Sequence, residues 1–484
     1  MSLAQLLPLA PLLLLAAAPV VTLLASAFSR SPRVVFAATL GLLAATLATL
    51  PLSLTALPMD VTSLLRLDGF GLFLLALLGL GGLVVACLAD DTWQRRPTAR
   101  ADRFYPLLLF ALAGMGVAVL AADFASFFLG LETLTVSLYG LLGFTRHRQA
   151  ALEGGLKYLV LAAASTAFLL FGLALLYAAA GTLQLAELGP RLLAVGGGTG
   201  LDPQVGLGLG LILVAFGFKL ALVPFHLIFP ELYQSAPPPV AALLAAGSKG
   251  AIFAALARFL ALSGLTAVPS VVTWLAFFAA LTMTVGNLAA LRQGSLRRLL
   301  AYSSVAHVGY LLLALLALPQ GGLAALLGYL AIYGATVLVL FGGIGLLAAD
   351  GQEADRIDEL TGLAQTRPLL AGLLALALLS LTGVPLTAGF VAKLLLFTAA
   401  FDAGHHWLVG LAAANSVLSA FYYLRVVIVL YRPGPPARTT WPRASRLAVA
   451  TLVLLGAFLL LGGLLPDPLV QLVRVASQGL GGAP

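Results

Sequence analysis

Residues 205–228 read VGLGLGLILVAFGFKLALVPFHLI, an apolar run long enough to cross a bilayer that nonetheless carries Lys219 and, five residues later, Pro224. A lysine near the middle of a bilayer costs roughly 2.5–3.5 kcal/mol, so it needs a partner, water or a task. Proline removes a helical hydrogen bond and frees a carbonyl, which a side chain or water can then satisfy. The stretch therefore reads as a membrane helix broken beside a buried cation.

Runs of this kind recur along almost the whole chain of 484 residues. Mean hydropathy is +1.07, 61% of residues are hydrophobic and 9% are charged, against the ~25% charged of a soluble domain. The fold class predicted is an all-α polytopic membrane protein of about fourteen transmembrane helices. The spans fall near 4–28, 34–56, 69–89, 104–121, 123–144, 155–180, 205–228, 238–262, 269–291, 299–317, 321–348, 367–401, 405–431 and 446–465. The twelfth is long and interrupted at Gly383-Val384-Pro385, so it reads either as one span or as two half-helices. Arg30 and Arg33 follow the first run, and residues 1–5 carry no basic charge, which favours a first span over a cleaved signal peptide.

The arginines set the sidedness. Loops after odd-numbered spans hold 17 and the opposite side holds Arg66, Arg191 and Arg474, which places both termini outside, in the periplasm of a Gram-negative cell. The +8 charge forms no continuous basic face, so a nucleic-acid partner is excluded. A single cysteine, Cys87, leaves no internal disulfide or cysteine-ligated cluster, and the five histidines lack metal-ligand spacing. Gly196-Gly197-Gly198-Thr199-Gly200 lacks a lysine and follows no strand, so it reads as a connector rather than a phosphate loop.

The four lysines stand apart from the arginines, because all of them lie inside or at the edge of apolar runs. Counting about 1.5 Å per residue puts Glu132 about 14 Å into its span, Lys219 about 21 Å from the outer end of its own, Lys249 about 16 Å from the inner end and Lys393 about 12 Å from the outer end. Lys157 lies a few residues from the cytoplasmic boundary, where snorkelling competes with a buried role. A static Glu132–Lys219 pair is the bland alternative, but three deep lysines against one carboxylate do not balance. Desolvation disfavours the charged form of a buried amine, so such a group can take up and release protons. Glu132, Lys219, Lys249 and Lys393 are the candidate proton relay. His307 joins them, and Lys157 and His226 are weaker candidates; Tyr302, Ser303, Ser304, Asn287 and Asn415 could extend a hydrated path. Pro224 follows Lys219 whereas Pro385 precedes Lys393, the relation an inverted repeat produces. The expected organisation is a three-helix segment (1–103), two inverted five-helix repeats (104–262 and 263–431) with helices 7 and 12 broken, and a last helix with its tail (432–484).

The run Phe216-Gly217-Phe218-Lys219, Val223-Pro224-Phe225-His226, Tyr233-Gln234-Ser235-Ala236-Pro237 and Ser248-Lys249-Gly250-Ala251 resembles the proton-translocating core of the antiporter-like subunits of respiratory complex I. Ala301–Tyr310 and Gly383-Val384-Pro385 with Ala388-Gly389-Phe390 and Lys393 are further matches, and the details are closest to the subunit N type. The resemblance implies a proton-translocating membrane subunit of NADH-quinone oxidoreductase. It also implies that Glu132 pairs with Lys219, that Lys249 is the central relay lysine, and that Lys393 is the terminal one. Protons would load from the cytoplasm and leave outward past Lys393. FMN, iron–sulfur clusters and quinone would sit in partner subunits, with no cofactor in this chain, and the partners would be other membrane subunits in a hetero-oligomer. A lysine rather than a glutamate at position 393 departs from the subunit M type. Phe229 before Pro230-Glu231 departs from the usual polar pattern. The same fold and charge row serve multisubunit sodium/proton antiporters and membrane-bound hydrogenases, and a non-pumping scaffold of the membrane arm is the alternative of another class.

Overall fold

A computed structural model describes residues 7–29, 31–95, 101–145, 148–195, 202–348, 355–434 and 444–481. The glycine connector at 196–200 and Arg30 lie outside these residues. Thirteen helices among the described residues are long and apolar enough to cross a membrane. In chain order the helices are α1 (Ala10–Ser29), α2 (Pro32–Leu54), α3 (Gly69–Gln94), α4 (Phe104–Leu120), α5 (Phe124–Leu142) and α6 (Gln149–Ala180). An outer helix α7 (Leu185–Val195) precedes α8 (Pro203–Leu220), α9 (Phe229–Ser235) and α10 (Pro238–Ala242). Then come α11 (Lys249–Ser263), α12 (Pro269–Leu291), α13 (Leu296–Leu316) and α14 (Gly322–Leu346). The twelfth span is α15 (Pro368–Thr382) and α16 (Ala388–Asp402), followed by α17 (His406–Tyr431), α18 (Arg446–Leu464) and α19 (Asp467–Gly481).

Both interruptions expected from the sequence are present. In the seventh span α8 stops at Leu220, Ala221 turns left-handed (φ 64°), and α9 begins at Phe229, so regular helix ends well before residue 228. The freed Val223 amide donates to Thr282 Oγ1 at 3.2 Å. In the twelfth, Gly383 takes the left-handed turn (φ 85°), a conformation glycine adopts without a Cβ penalty. The chain then folds back so closely that a Cβ on Gly389 would lie 1.7 Å from the Ser380 carbonyl. The eighth span runs through a π-helical turn, Leu243–Ser248, just before Lys249; such turns re-aim the side chains that follow.

Three features were not legible beforehand. Residues Met59–Thr62 (β1) and Leu65–Leu67 (β2) form a small antiparallel hairpin, the sheet among the described residues. The stretch 185–195 is an amphipathic helix, and the expected C-terminal tail is another, burying Val473, Ala476 and Leu480 against the bundle.

Packing sorts the spans. The tenth and eleventh are 94% buried over their most apolar windows and the eighth 89%, whereas the second and last are 22% buried. Lys249 and His307 therefore lie on central helices, and Lys393 against one of them. Close helix contact depends on glycine: Gly114 and Gly130 bring α4 onto α5, and Gly286 and Gly309 do the same for α12 and α13.

Candidate functional site

The site begins at the first helix break. Lys219 occupies the last turn of α8, where the helix dipole favours a cation. Its Nζ lies 3.4 Å from Glu132 Oε1 and donates to Thr135 Oγ1 at 3.1 Å, both on α5. Thr166 Oγ1 on α6 donates to the same carboxylate at 2.7 Å. The two partners differ in setting: the Lys219 side chain is 4% exposed and that of Glu132 27%, so the acid sits at the rim of the bundle rather than being buried like the lysine.

Lys249 stands at the start of α11, after the π turn, and is 2% exposed. It donates to Ser304 Oγ on α13 at 2.5 Å. The same hydroxyl accepts from Tyr333 OH at 2.8 Å and lies 3.3 Å from Tyr233 OH. The ammonium also lies 5.4 Å from the ring centre of Phe229 and 5.5 Å from that of Tyr233, within cation–π range.

One helical turn beyond Ser304 on α13 is His307, with Nδ1 2.6 Å from Tyr329 OH and Nε2 3.2 Å from Tyr423 OH, which also bonds to Ser303. The His307 and Tyr333 rings are 5.0 Å apart. Past the histidine is a cavity roughly one water in size, lined by His307, Tyr329, Tyr333, Thr336, Ser380 and Lys393 among others. Lys393 lies on its far side. Its Nζ donates to the Thr382 carbonyl and to Ser416 Oγ, each at 2.8 Å, with the Tyr310 ring centre 5.5 Å away. Thr382 ends α15, so the second break, like the first, places a lysine at the C-terminal end of a half-helix. The carbonyl freed by the interruption is the one the ammonium satisfies.

The arrangement is thus an ion pair at one rim and a string of amine, hydroxyl, phenol and imidazole groups that runs from Lys249 to Lys393. The family of NADH:quinone oxidoreductase and Mrp antiporter transmembrane proteins matches residues 121–419, which contain every group in it except Tyr423. The chain belongs to this family. It is 41% identical over 96% of its length to NADH-quinone oxidoreductase subunit N of Methylococcus capsulatus, covering 93% of that protein. It superposes on a chain of respiratory complex I from Thermus thermophilus, solved with bound aureothin, with TM-score 0.82, 35% identity, and 95% and 98% coverage. A chain of the Mrp complex from Dietzia sp. aligns with TM-score 0.86 over 99% and 98% of the two chains, but at 24% identity this shows a shared fold only.

Within this antiporter-like fold the remaining candidates are set apart from the string. Lys157 is exposed and paired with Glu153 Oε1 at 2.7 Å and Glu231 Oε1 at 2.6 Å. His226 lies in the turn of the first break, its ring 6.2 Å from that of Tyr302. Asn287 and Asn415 bond to each other at 3.1 Å, and Asn287 also bonds to Tyr310 and Tyr422, a network beside Lys393. Sequence reasoning named Tyr302 but passed over Tyr329, Tyr333 and Tyr423, although Tyr329, Tyr333 and Thr336 recur at i, i+4 and i+7 on the eleventh span, a polar stripe in an apolar helix. It also passed over Asp68, whose carboxylate grips Arg258 at 2.7 and 2.8 Å with both side chains fully buried.

Proposed function

We propose that this chain is the subunit-N-type, proton-translocating member of an NADH-quinone oxidoreductase, moving protons through Glu132, Lys219, Lys249, His307 and Lys393. The observation that carries the reading is the string from Lys249 through Ser304 and His307 to Lys393, which crosses the centre of the bundle between the two broken helices. Hydroxyl and imidazole groups can accept a proton on one side while donating on the other, so they relay it between amines. The identity to subunit N of M. capsulatus supports the assignment of type. Redox chemistry, with FMN, iron–sulfur clusters and quinone, is assigned to partner subunits, and the membrane partners to neighbours in a hetero-oligomer.

The Glu132–Lys219 pair supplies a switch of suitable size. At 3.4 Å and an effective dielectric of about 20 its attraction is at most about 5 kcal/mol, and solvent at the Glu132 rim reduces this. Moving one charge against 100 mV costs about 2.3 kcal/mol. The attraction within the pair is therefore of the same order as the cost of moving one charge against the membrane potential. Uptake is assigned to the cytoplasmic side and release to the outside on the family resemblance alone, and the arginine distribution supports both termini outside.

Affinity purification of the full chain from its own membranes, followed by NADH-driven reduction of an added quinone, tests the type. Recovery with NADH-oxidising and quinone-reducing subunits supports it; recovery with small antiporter subunits and no such activity refutes it.

A further inference from the structure

The helix that lines the Lys249 pocket is too short to hold itself in place. Helix α9 has seven residues, where isolated helices shorter than about 12–15 are marginal. It nevertheless supplies Phe229 and Tyr233, one turn apart, to the ammonium of Lys249. Its position must be set from outside, and its last residues show how. Gln234 Nε2 donates to Asp355 Oδ2 at 2.6 Å, and Arg297 Nη1 donates to the carbonyl of Ala236, the residue that caps the helix, at 3.3 Å. The other Asp355 oxygen accepts from Ser295 Oγ at 2.7 Å and lies 3.4 Å from Arg297 Nε, and its carbonyl accepts from Leu296 N at 2.7 Å. Ser295, Leu296 and Arg297 begin α13, the helix that presents Ser304 nine residues later.

We propose that Asp355 is a positioning residue for proton transfer at Lys249. It staples the cytoplasmic ends of α9 and α13 and thereby fixes the Tyr233–Ser304 spacing around the ammonium. The two helices approach Lys249 from different sides, so their separation sets the pocket, and one carboxylate bonds to both. The charge pair with Arg297, itself 2% exposed, keeps that carboxylate in place. Nothing in the staple touches the transferred proton. Its effect is on geometry, and it rests on the relay reading given above.

The test uses the assembled complex in inverted membrane vesicles, with NADH-driven proton uptake divided by the amount of complex on a native gel. Gln234→Ala, Asp355→Ala, the double variant, Asp355→Glu and Lys249→Ala are compared, each in H2O and D2O. Gln234→Ala and Asp355→Ala are expected to slow uptake per assembled complex about three- to tenfold, the rate equivalent of one lost hydrogen bond, with a larger solvent isotope effect. The double variant should be no slower than the worse single, because both remove the same tie, and Asp355→Glu should recover most of the rate. Gln234→Ala leaves the 355 segment and its bonds to α13 untouched, so it reports on the staple even where Asp355→Ala does not assemble. Unchanged uptake per complex in Gln234→Ala, beside a collapse in Lys249→Ala, overturns the staple alone. Unchanged uptake in Lys249→Ala overturns the relay and the staple with it.

Discussion

Asp68→Ala is expected to be the most damaging single change outside the relay string. The Asp68 carboxylate makes both bonds to the Arg258 guanidinium, and both side chains are fully buried. Arg258 Nε donates in addition to the Val119 carbonyl at 2.9 Å, and Asp68 Oδ1 caps α3 by accepting from Gly71 N at 2.7 Å. Three spans thus meet at one ion pair: the start of α3, the end of α4 and the body of α11. Removing one partner of a buried pair costs about 3–5 kcal/mol, because the other charge stays buried without compensation. The lost cap adds roughly 0.5–2 kcal/mol. Removing both charges with Asp68→Leu and Arg258→Met avoids the stranded guanidinium; it leaves the Val119 carbonyl to satisfy, at about 1–3 kcal/mol, and the same lost cap at Gly71 N. Native-gel assembly and thermal melting of the purified complex should therefore rank wild type first, the double variant between and Asp68→Ala lowest. A double variant as poor as Asp68→Ala, or an Asp68→Ala complex that melts like wild type, would refute the reasoning.

Other outcomes follow from the same geometry. Ser304→Ala removes the hydroxyl shared by Lys249, Tyr233 and Tyr333 and should slow NADH-driven proton uptake roughly ten- to hundredfold, the equivalent of a hydrogen bond to a charged group. Ser304→Thr should retain most of the rate, and a Ser304→Ala rate within about twofold of wild type would remove Ser304 from the path. Gly389→Ala places a methyl 1.7 Å from the Ser380 carbonyl, so it should cut the yield of assembled complex, read by native gel against an unchanged control subunit. Lys157→Gln breaks exposed ion pairs worth about 1 kcal/mol or less and should leave turnover within about twofold. A tenfold loss there would bring Lys157 into the relay.

Much of this architecture is legible in the sequence because a bilayer enforces simple rules. Apolar length fixes the spans, and proline beside a buried lysine marks the breaks. Glu132, Lys219, Lys249, His307 and Lys393 stand out because polar groups are costly in hydrocarbon; the structure buries the three lysines and the histidine and leaves Glu132 at the rim. What stays hidden depends on pairing across long separations. No local pattern joins Asp68 to Arg258, 190 residues apart, or Gln234 to Asp355. Tyr329, Tyr333 and Tyr423 escape notice because aromatic residues suit a membrane helix whether or not the hydroxyl is used. Glu231 draws attention only as a departure from a pattern, yet it is the partner of Lys157. The π turn before Lys249 has no proline to announce it.

The central claim is that the buried charges carry protons rather than hold helices together. Lys219→Ala tests it most directly, because Lys219 joins the rim acid to the helix break. Inverted vesicles from wild-type and variant membranes are compared for NADH-driven quinone reduction and proton uptake, with assembly measured on a native gel. The account predicts an assembled complex in which both rates collapse together. An assembled complex in which both rates survive unchanged would contradict it and leave the lysines as structural elements of a scaffold.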